Sequence, residues 1–217
     1  MKRTVTVKGI GTVSSKPDYI TIQLRIVSKD KDYAQAVELA NKRIAMLQNA
    51  VMSVGFAKED LKTLSFNVQT NYENVQDDQG RYHREFAGYI CEYRLKLAFD
   101  LDSVKLANTL TAIANSGADA EISIAFTVKN PENVSAALLR SATENARNKA
   151  EVLCKASGVK LGELLSINYD WTDISFVSAS TYAMNEQMRG VAVASVPEFE
   201  PEDIRTSDSA TFVWEIE

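Results

Sequence analysis

Histidine, cysteine and long apolar runs are what this sequence of 217 residues lacks most, with one histidine and two cysteines in the whole chain. A lone His83 and two distant cysteines, Cys91 and Cys154, give no close metal-ligand spacing and no disulfide framework. Both thiols are expected to be reduced and buried as small apolar groups, with a single bridge open to them only if the chain is exported. No run of Lys or Arg offsets the formal net charge of −5, so a nucleic-acid footprint is not expected. No stretch approaches the ~20 apolar residues that span a bilayer as a helix. The start, Met1-Lys2-Arg3-Thr4-Val5, passes straight into alternation without the apolar core and small-residue site of a secretory signal. That reading predicts a cytoplasmic chain, with a periplasmic location as the alternative if the sequence has been trimmed. Neither Gly-x-Ser-x-Gly nor Gly-Lys-Ser/Thr occurs, which removes the nucleophile elbow and the Walker loop.

What is present is clear periodicity within an ordinary globular composition, 45% hydrophobic and 24% charged. Val5, Val7, Gly9, Gly11 and Val13 alternate with Thr4, Thr6 and Lys8. After Ser14-Ser15-Lys16-Pro17-Asp18, alternation resumes in Ile20, Ile22, Leu24 and Ile26, which suggests an antiparallel pair covered on one side. Tyr33, Val37, Ala40, Ile44, Leu47, Val51 and Val54 form a helical stripe, capped near Asp30 or Asp32 and stopped at Gly55. Two further alternating runs, Leu64 to Tyr72 and Tyr89 to Phe99, flank the turn residues Asp77-Asp78-Gln79-Gly80. They predict a long hairpin whose polar and aromatic tip, residues 71–87, projects as an arm.

A second helix is expected from Asp102 to Ser116, stopped at Gly117, and then a strand through Ile122, Ile124, Phe126 and Val128. Asn130 as cap and Pro131 at the first position open a third helix that runs to Ser157. Its Ala142, Ala146 and Ala150 share one face and let a neighbour approach closely. Leu165, Ile167, Tyr169 and Trp171 alternate in the next strand, residues 176–204 lose all periodicity, and Ala210, Phe212, Trp214 and Ile216 mark a terminal strand. The order β-β-α-β-β-α-β-α-β-β predicts an α+β fold, with antiparallel sheet and helices on one face. No linker divides residues 1–217, so one domain with an arm is expected.

The opening Val7-x-Gly9-x-Gly11-x-Val13-x-x-x-Pro17-Asp18 resembles the start of SIMPL-domain proteins, a family that includes bacterial periplasmic immunogenic proteins and a kinase-associated signalling protein. The resemblance continues through Gly88-Tyr89, Leu101-Asp102, Gly117-Ala118, Ala142…Ala146…Lys149-Ala150-Glu151, Gly158 and Leu161-Gly162. It implies an α+β fold, large ring-like or channel-like oligomers for bacterial relatives, and no established catalytic residues. Many bacterial members are exported, from which this N-terminus departs.

Gly9-Ile10-Gly11 lacks the third glycine and the following helix of a dinucleotide site, and glycines inside a strand mark a close approach instead. His83 falls at the hairpin tip, where general acid–base work has no pocket, although a Cys91–His83 encounter at the hairpin base or a pH-sensitive subunit contact is conceivable. Asp77, Asp78 and Glu73, and the run Glu198 to Asp203, offer at most weak cation binding: Asp77-Asp78-Gln79-Gly80 lacks the order of a calcium loop, and charge runs of this size usually solvate a loop. The aromatic and Met residues of the arm and the nonperiodic segment are the stronger lead, because interfaces favour them. Tyr72, Tyr82, His83, Phe86, Tyr182, Met184, Met188 and Phe199 are therefore the assembly candidates. The expectation is a nonenzymatic, self-associating protein without cofactor, a homo-oligomer acting as scaffold or binding platform and open to a protein partner. A monomeric module for a small ligand or partner protein is the alternative.

Overall fold

A computed structural model describes residues 3–77, 80–170, 174–180, 182–184 and 200–217. Among them the chain forms β1 (Thr4–Ser15), β2 (Tyr19–Asp30), α1 (Tyr33–Ser53), β3 (Lys62–Gln76), β4 (Tyr82–Asp100) and α2 (Ser103–Asn115). β5 (Ala120–Thr127), α3 (Pro131–Ala156), β6 (Leu161–Asn168), β7 (Tyr182–Met184) and β8 (Ile204–Ile216) follow. This is the expected α+β order with one short strand, β7, added inside the segment read as irregular.

The helix boundaries follow local chemistry. Asp32 caps α1 by accepting from the Gln35 N–H at 3.0 Å, and Asp102 caps α2 by accepting from the Lys105 N–H at 2.9 Å. Each satisfies a donor the first helical turn leaves orphaned. Asn130 occupies the cap position of α3 without a side-chain bond, and Pro131 begins the helix. Each helix is followed within two residues of its last by a glycine with positive φ.

Two sheets form, ordered β1-β8-β6 and β3-β4-β2-β5-β7. The expected partnership of β1 with β2 is corrected: β1 runs antiparallel to β8, Val7 opposite Phe212, and β2 antiparallel to β4, Ile22 opposite Leu97. Alternation reports which face of a strand is buried and is silent about its partner. The strand predicted through Trp171 also moves. It begins at Leu161, directly after Lys160 exchanges two backbone hydrogen bonds with Glu217 (2.8 and 3.0 Å), and ends at Asn168. Trp171 lies outside the described residues.

The contacts group the chain into two compact units, each drawn from distant stretches of sequence: residues 1–18, 126–179 and 201–217 in one, 19–125 and 180–200 in the other. The first buries Val7, Ala146, Ala150, Ala210, Phe212 and Trp214 between α3 and the three-stranded sheet. In the second, Ile20, Ile22, Leu24 and Ile26 of β2 and Leu95 and Leu97 of β4 are fully buried, while Ala36 and Ala40 of α1 pack on Cys91. Every other residue of β2 from Ile20 to Ile26, and of β4 from Cys91 to Phe99, faces the core, as period-two alternation requires.

Candidate assembly surface

In the first unit, the Gly-x-Gly pair takes the structural role. A Cβ on Gly9 would run into the Ala142 carbonyl oxygen and stand 2.7 Å from Ala146 Cβ; one on Gly11 would run into the Leu138 carbonyl oxygen and stand 2.8 Å from the Ala142 nitrogen. The glycines and the fully buried Leu138, Ala142, Ala146 and Ala150 thus bring helix backbone onto strand backbone. The space a bound phosphate needs is filled by α3.

That approach lets α3 seal the outer edge of β1, which ends its sheet. The Ile10 N–H donates to Asn145 Oδ1 at 3.0 Å, the Thr12 N–H to Ser141 Oγ at 3.4 Å, and Lys149 Nζ donates to the Lys8 carbonyl at 3.2 Å. Strand residues two apart advance ~6.6 Å and helix residues four apart ~6.0 Å, so one row on α3 matches one row on β1. Unpaired edges invite another strand, and here that edge is occupied. The opposite terminal strand, β6, leaves Leu164, Leu165 and Ile167 exposed.

In the second unit, β3 and β4 continue pairing from Lys62–Lys96 out to Gln76–Tyr82. Residues 72–76 and 80–86 are all exposed. Gly88 (φ +124°) marks where this outer stretch begins; a side chain there would meet the Asp30 backbone at the end of β2. The turn is held by Asp77, whose carboxylate accepts from the Arg81 backbone N–H (2.8 Å) and from Arg81 Nε (3.2 Å). Its charge thereby closes the hairpin.

An aromatic chain runs along one side of this hairpin. Tyr33 meets Tyr89 edge to face at 5.6 Å, Tyr89 meets Phe86 at 5.4 Å, Phe86 meets Tyr72 at 5.9 Å, and the Arg84 guanidinium lies 5.0 Å from the Tyr72 ring centre. Tyr72 is 46% exposed, Phe86 47%, Tyr33 52% and Tyr82 73%. Neighbouring exposed rings on one side make this the candidate association surface. Tyr72, Tyr82 and Phe86, expected from the sequence as assembly candidates, lie on this hairpin. The sequence pattern assigns Tyr33 to the helical stripe of α1 and Tyr89 to the alternating strand, and Arg84 is not among its assembly candidates; the register that aligns them depends on the bulge between Asn71 and Tyr72.

The remaining candidates separate. His83 pairs with Val75 in the outer hairpin, whereas Cys91 is fully buried against Ala36 and Ala40. Seven residues, a rise of ~26 Å from one to the other, stand between them, so the hairpin does not bring thiol and imidazole together. Burial pushes the Cys91 thiol upward from its ordinary range. Cys91 and Cys154 are both free and buried. Tyr182 and Met184 belong to β7, opposite Ile124 and Ile122 of β5. Met188 and Phe199 lie outside the described residues. Of the acidic run, Asp203 accepts a hydrogen bond from the Ser14 hydroxyl at 3.3 Å.

Charge is also organised on the side of the second sheet away from α1. Arg25 bridges Glu92 at 2.6 Å and Glu121 at 3.0 Å, and Arg94 meets Glu92 at 2.9 Å. The Arg25 hydrogen bond holds the Glu92 carboxyl below its ordinary range. In the first unit Tyr169 donates to the buried Asp208 at 2.7 Å, which raises the phenol. Among the described residues no group of three or more His, Cys, Asp or Glu is placed to hold a metal ion, and no helix is long and apolar enough to cross a membrane.

Antiparallel sheets backed by helices, with an exposed aromatic hairpin, define an α+β protein. Within that class, the chain belongs to the SIMPL family: its model, described as "Protein of unknown function (DUF541)", matches residues 5–214. The chain is similar to the 26 kDa periplasmic immunogenic protein of Brucella melitensis, 26% identical over 167 residues, and to that of Brucella abortus, 25% identical over 167. It is likewise similar to the uncharacterized protein YggE of Edwardsiella ictaluri, 25% identical over 165 residues. These matches cover 76% of this chain, 65% of each Brucella protein and 67% of YggE. The chain thus spans about 65% of the length of the first two relatives. The expected cytoplasmic location is overturned by these relatives, two of which are named as periplasmic. A secretory leader is removed on maturation, so an alternating first segment carries no information about export.

Proposed function

We propose that this chain is a nonenzymatic, self-associating scaffold or binding platform that works in the periplasm. The observation that carries the reading is the outer β3–β4 hairpin, where Tyr72, Phe86 and Tyr82 stand in solvent along one side. Burying such rings contributes about 25 cal/mol per Å², and an aromatic, Arg-bearing patch is what interface centres favour. The names of the Brucella relatives support the location. Light scattering on the purified chain tests the assembly, with a mass several times 24.0 kDa expected. A clean monomer at micromolar concentration sinks the reading. Fractionation of cells expressing the full-length gene product tests the location.

The alternative of a monomeric binding module has one observation in its favour. A groove of about 640 Å³ beside the end of α1 and along α2 is lined by Val54, Asp102, Val104, Lys105 and Asn108. Its volume lies in the range of small-molecule sites, while its exposed Val104 leaves it shallow. A 24.0 kDa monomer that binds a small ligand there would favour this second reading.

A further inference from the structure

Two carboxylates stand directly opposite each other on the outer hairpin. Register places Glu73 of β3 across from Glu85 of β4, and like charges so placed destabilise a strand pair. Neither forms a hydrogen bond or ion pair among the described residues, and both are exposed. The next pair on that side is Val75 with His83; the intervening pairs, Tyr72–Phe86, Asn74–Arg84 and Gln76–Tyr82, alternate onto the other side. One side is therefore acidic, with Val75 as its apolar patch. The other is aromatic and carries Arg84, which contacts the Tyr72 ring and has no carboxylate partner among the described residues.

We propose that these two sides bind each other between copies: the Arg84 and Tyr72 side of one hairpin seats on the Glu73 and Glu85 side of the next. The proposal rests on the self-association reading above and names its contact. Charge complementarity selects this mode. Stacking like sides would set Arg84 against Arg84, or the glutamate pair against its own image, whereas front-to-back stacking matches opposite signs. The planar guanidinium suits a carboxylate pair better than a point charge does, and its arrival relieves the Glu73–Glu85 repulsion. Such a contact is heterologous, so each added copy exposes another acceptor side, and growth continues until a ring closes or a filament forms.

Charge reversal with mixing tests this. Arg84→Glu alone, and Glu73→Arg with Glu85→Arg alone, are each expected to need about tenfold or more protein to assemble. An equimolar mixture is expected to regain the wild-type mass by alternating the two chains. Wild-type mass in both variants, or no recovery on mixing, overturns the proposal and leaves self-association through another surface standing. A wild-type mass of 24.0 kDa instead overturns self-association itself. Glu85→Gln keeps the test independent of the folding of the reversed chains: it should weaken assembly while raising the melting temperature of the dissociated chain. Unchanged assembly in that variant also overturns the proposal.

Discussion

Replacing Gly9 with alanine probes the helix-on-strand contact at its tightest point. The added Cβ falls 2.7 Å from Ala146 Cβ and meets the Ala142 carbonyl, whereas carbon atoms rest at about 3.5–4.0 Å. Since backbone blocks the way, α3 must withdraw by roughly 1 Å. Overpacking of this kind costs about 1–3 kcal/mol. The same withdrawal stretches Asn145 Oδ1 from the Ile10 N–H, now at 3.0 Å, and Lys149 from the Lys8 carbonyl, now at 3.2 Å. Each lost bond removes about 0.5–1.5 kcal/mol, at the low end here because water reaches the strand edge. Restricting the unfolded chain returns about 0.4–1 kcal/mol. The net expectation is a destabilisation of about 1–4 kcal/mol, read by urea denaturation, with faster hydrogen exchange at the Ile10 amide. Asn145→Ala should matter in the wild type and little in the Gly9→Ala background, since the bond is already broken there. A Gly9→Ala chain within about 0.5 kcal/mol of wild type, or strict additivity of the two changes, would refute the reasoning.

Two further outcomes follow from the second unit. The Ser28 hydroxyl is buried and unpartnered opposite Cys91, so Ser28→Ala should leave stability unchanged or raise it by about 1 kcal/mol; a clear drop in the urea midpoint would show a hidden partner. Glu92 is held below the ordinary carboxylate range by Arg25. Its stabilising contribution is complete above the unfolded value of about 4.3 and disappears as pH falls through the lower folded one. Arg25→Met should therefore flatten the loss of stability as pH falls below the ordinary carboxylate range, and parallel pH profiles for the two chains would rule this out.

Element order was legible because each signal is local. Asp32, Asp102 and Pro131 mark the three helix starts, and alternation in Ile20 to Ile26 reports the buried side of β2. The alanine stripe at 142, 146 and 150 and the glycines at 9 and 11 were each readable as places of close approach. That they approach one another depends on the chain folding back across a separation of 133 positions from Gly9 to Ala142 (142 − 9), which no local pattern encodes. For the candidate surface, Tyr72, Tyr82 and Phe86 stood out by type. Arg84 joined them only through cross-strand register, set by a one-residue bulge. Tyr33 misled because its spacing is that of a buried stripe while its place, the first residue of α1, is half in solvent.

By itself, then, the sequence determined periodicity, helix limits and the absence of a nucleophile elbow or close metal-ligand spacing, since caps, turns and alternation depend on neighbours along the chain. Tertiary structure alone decided that β1 pairs with β8, that α3 closes the outer edge of β1, and that Glu73 faces Glu85. Backbone donors and acceptors are the same in every residue but proline. Which strand meets which is settled by the packing of side chains on both faces at once, and a single strand does not display that choice.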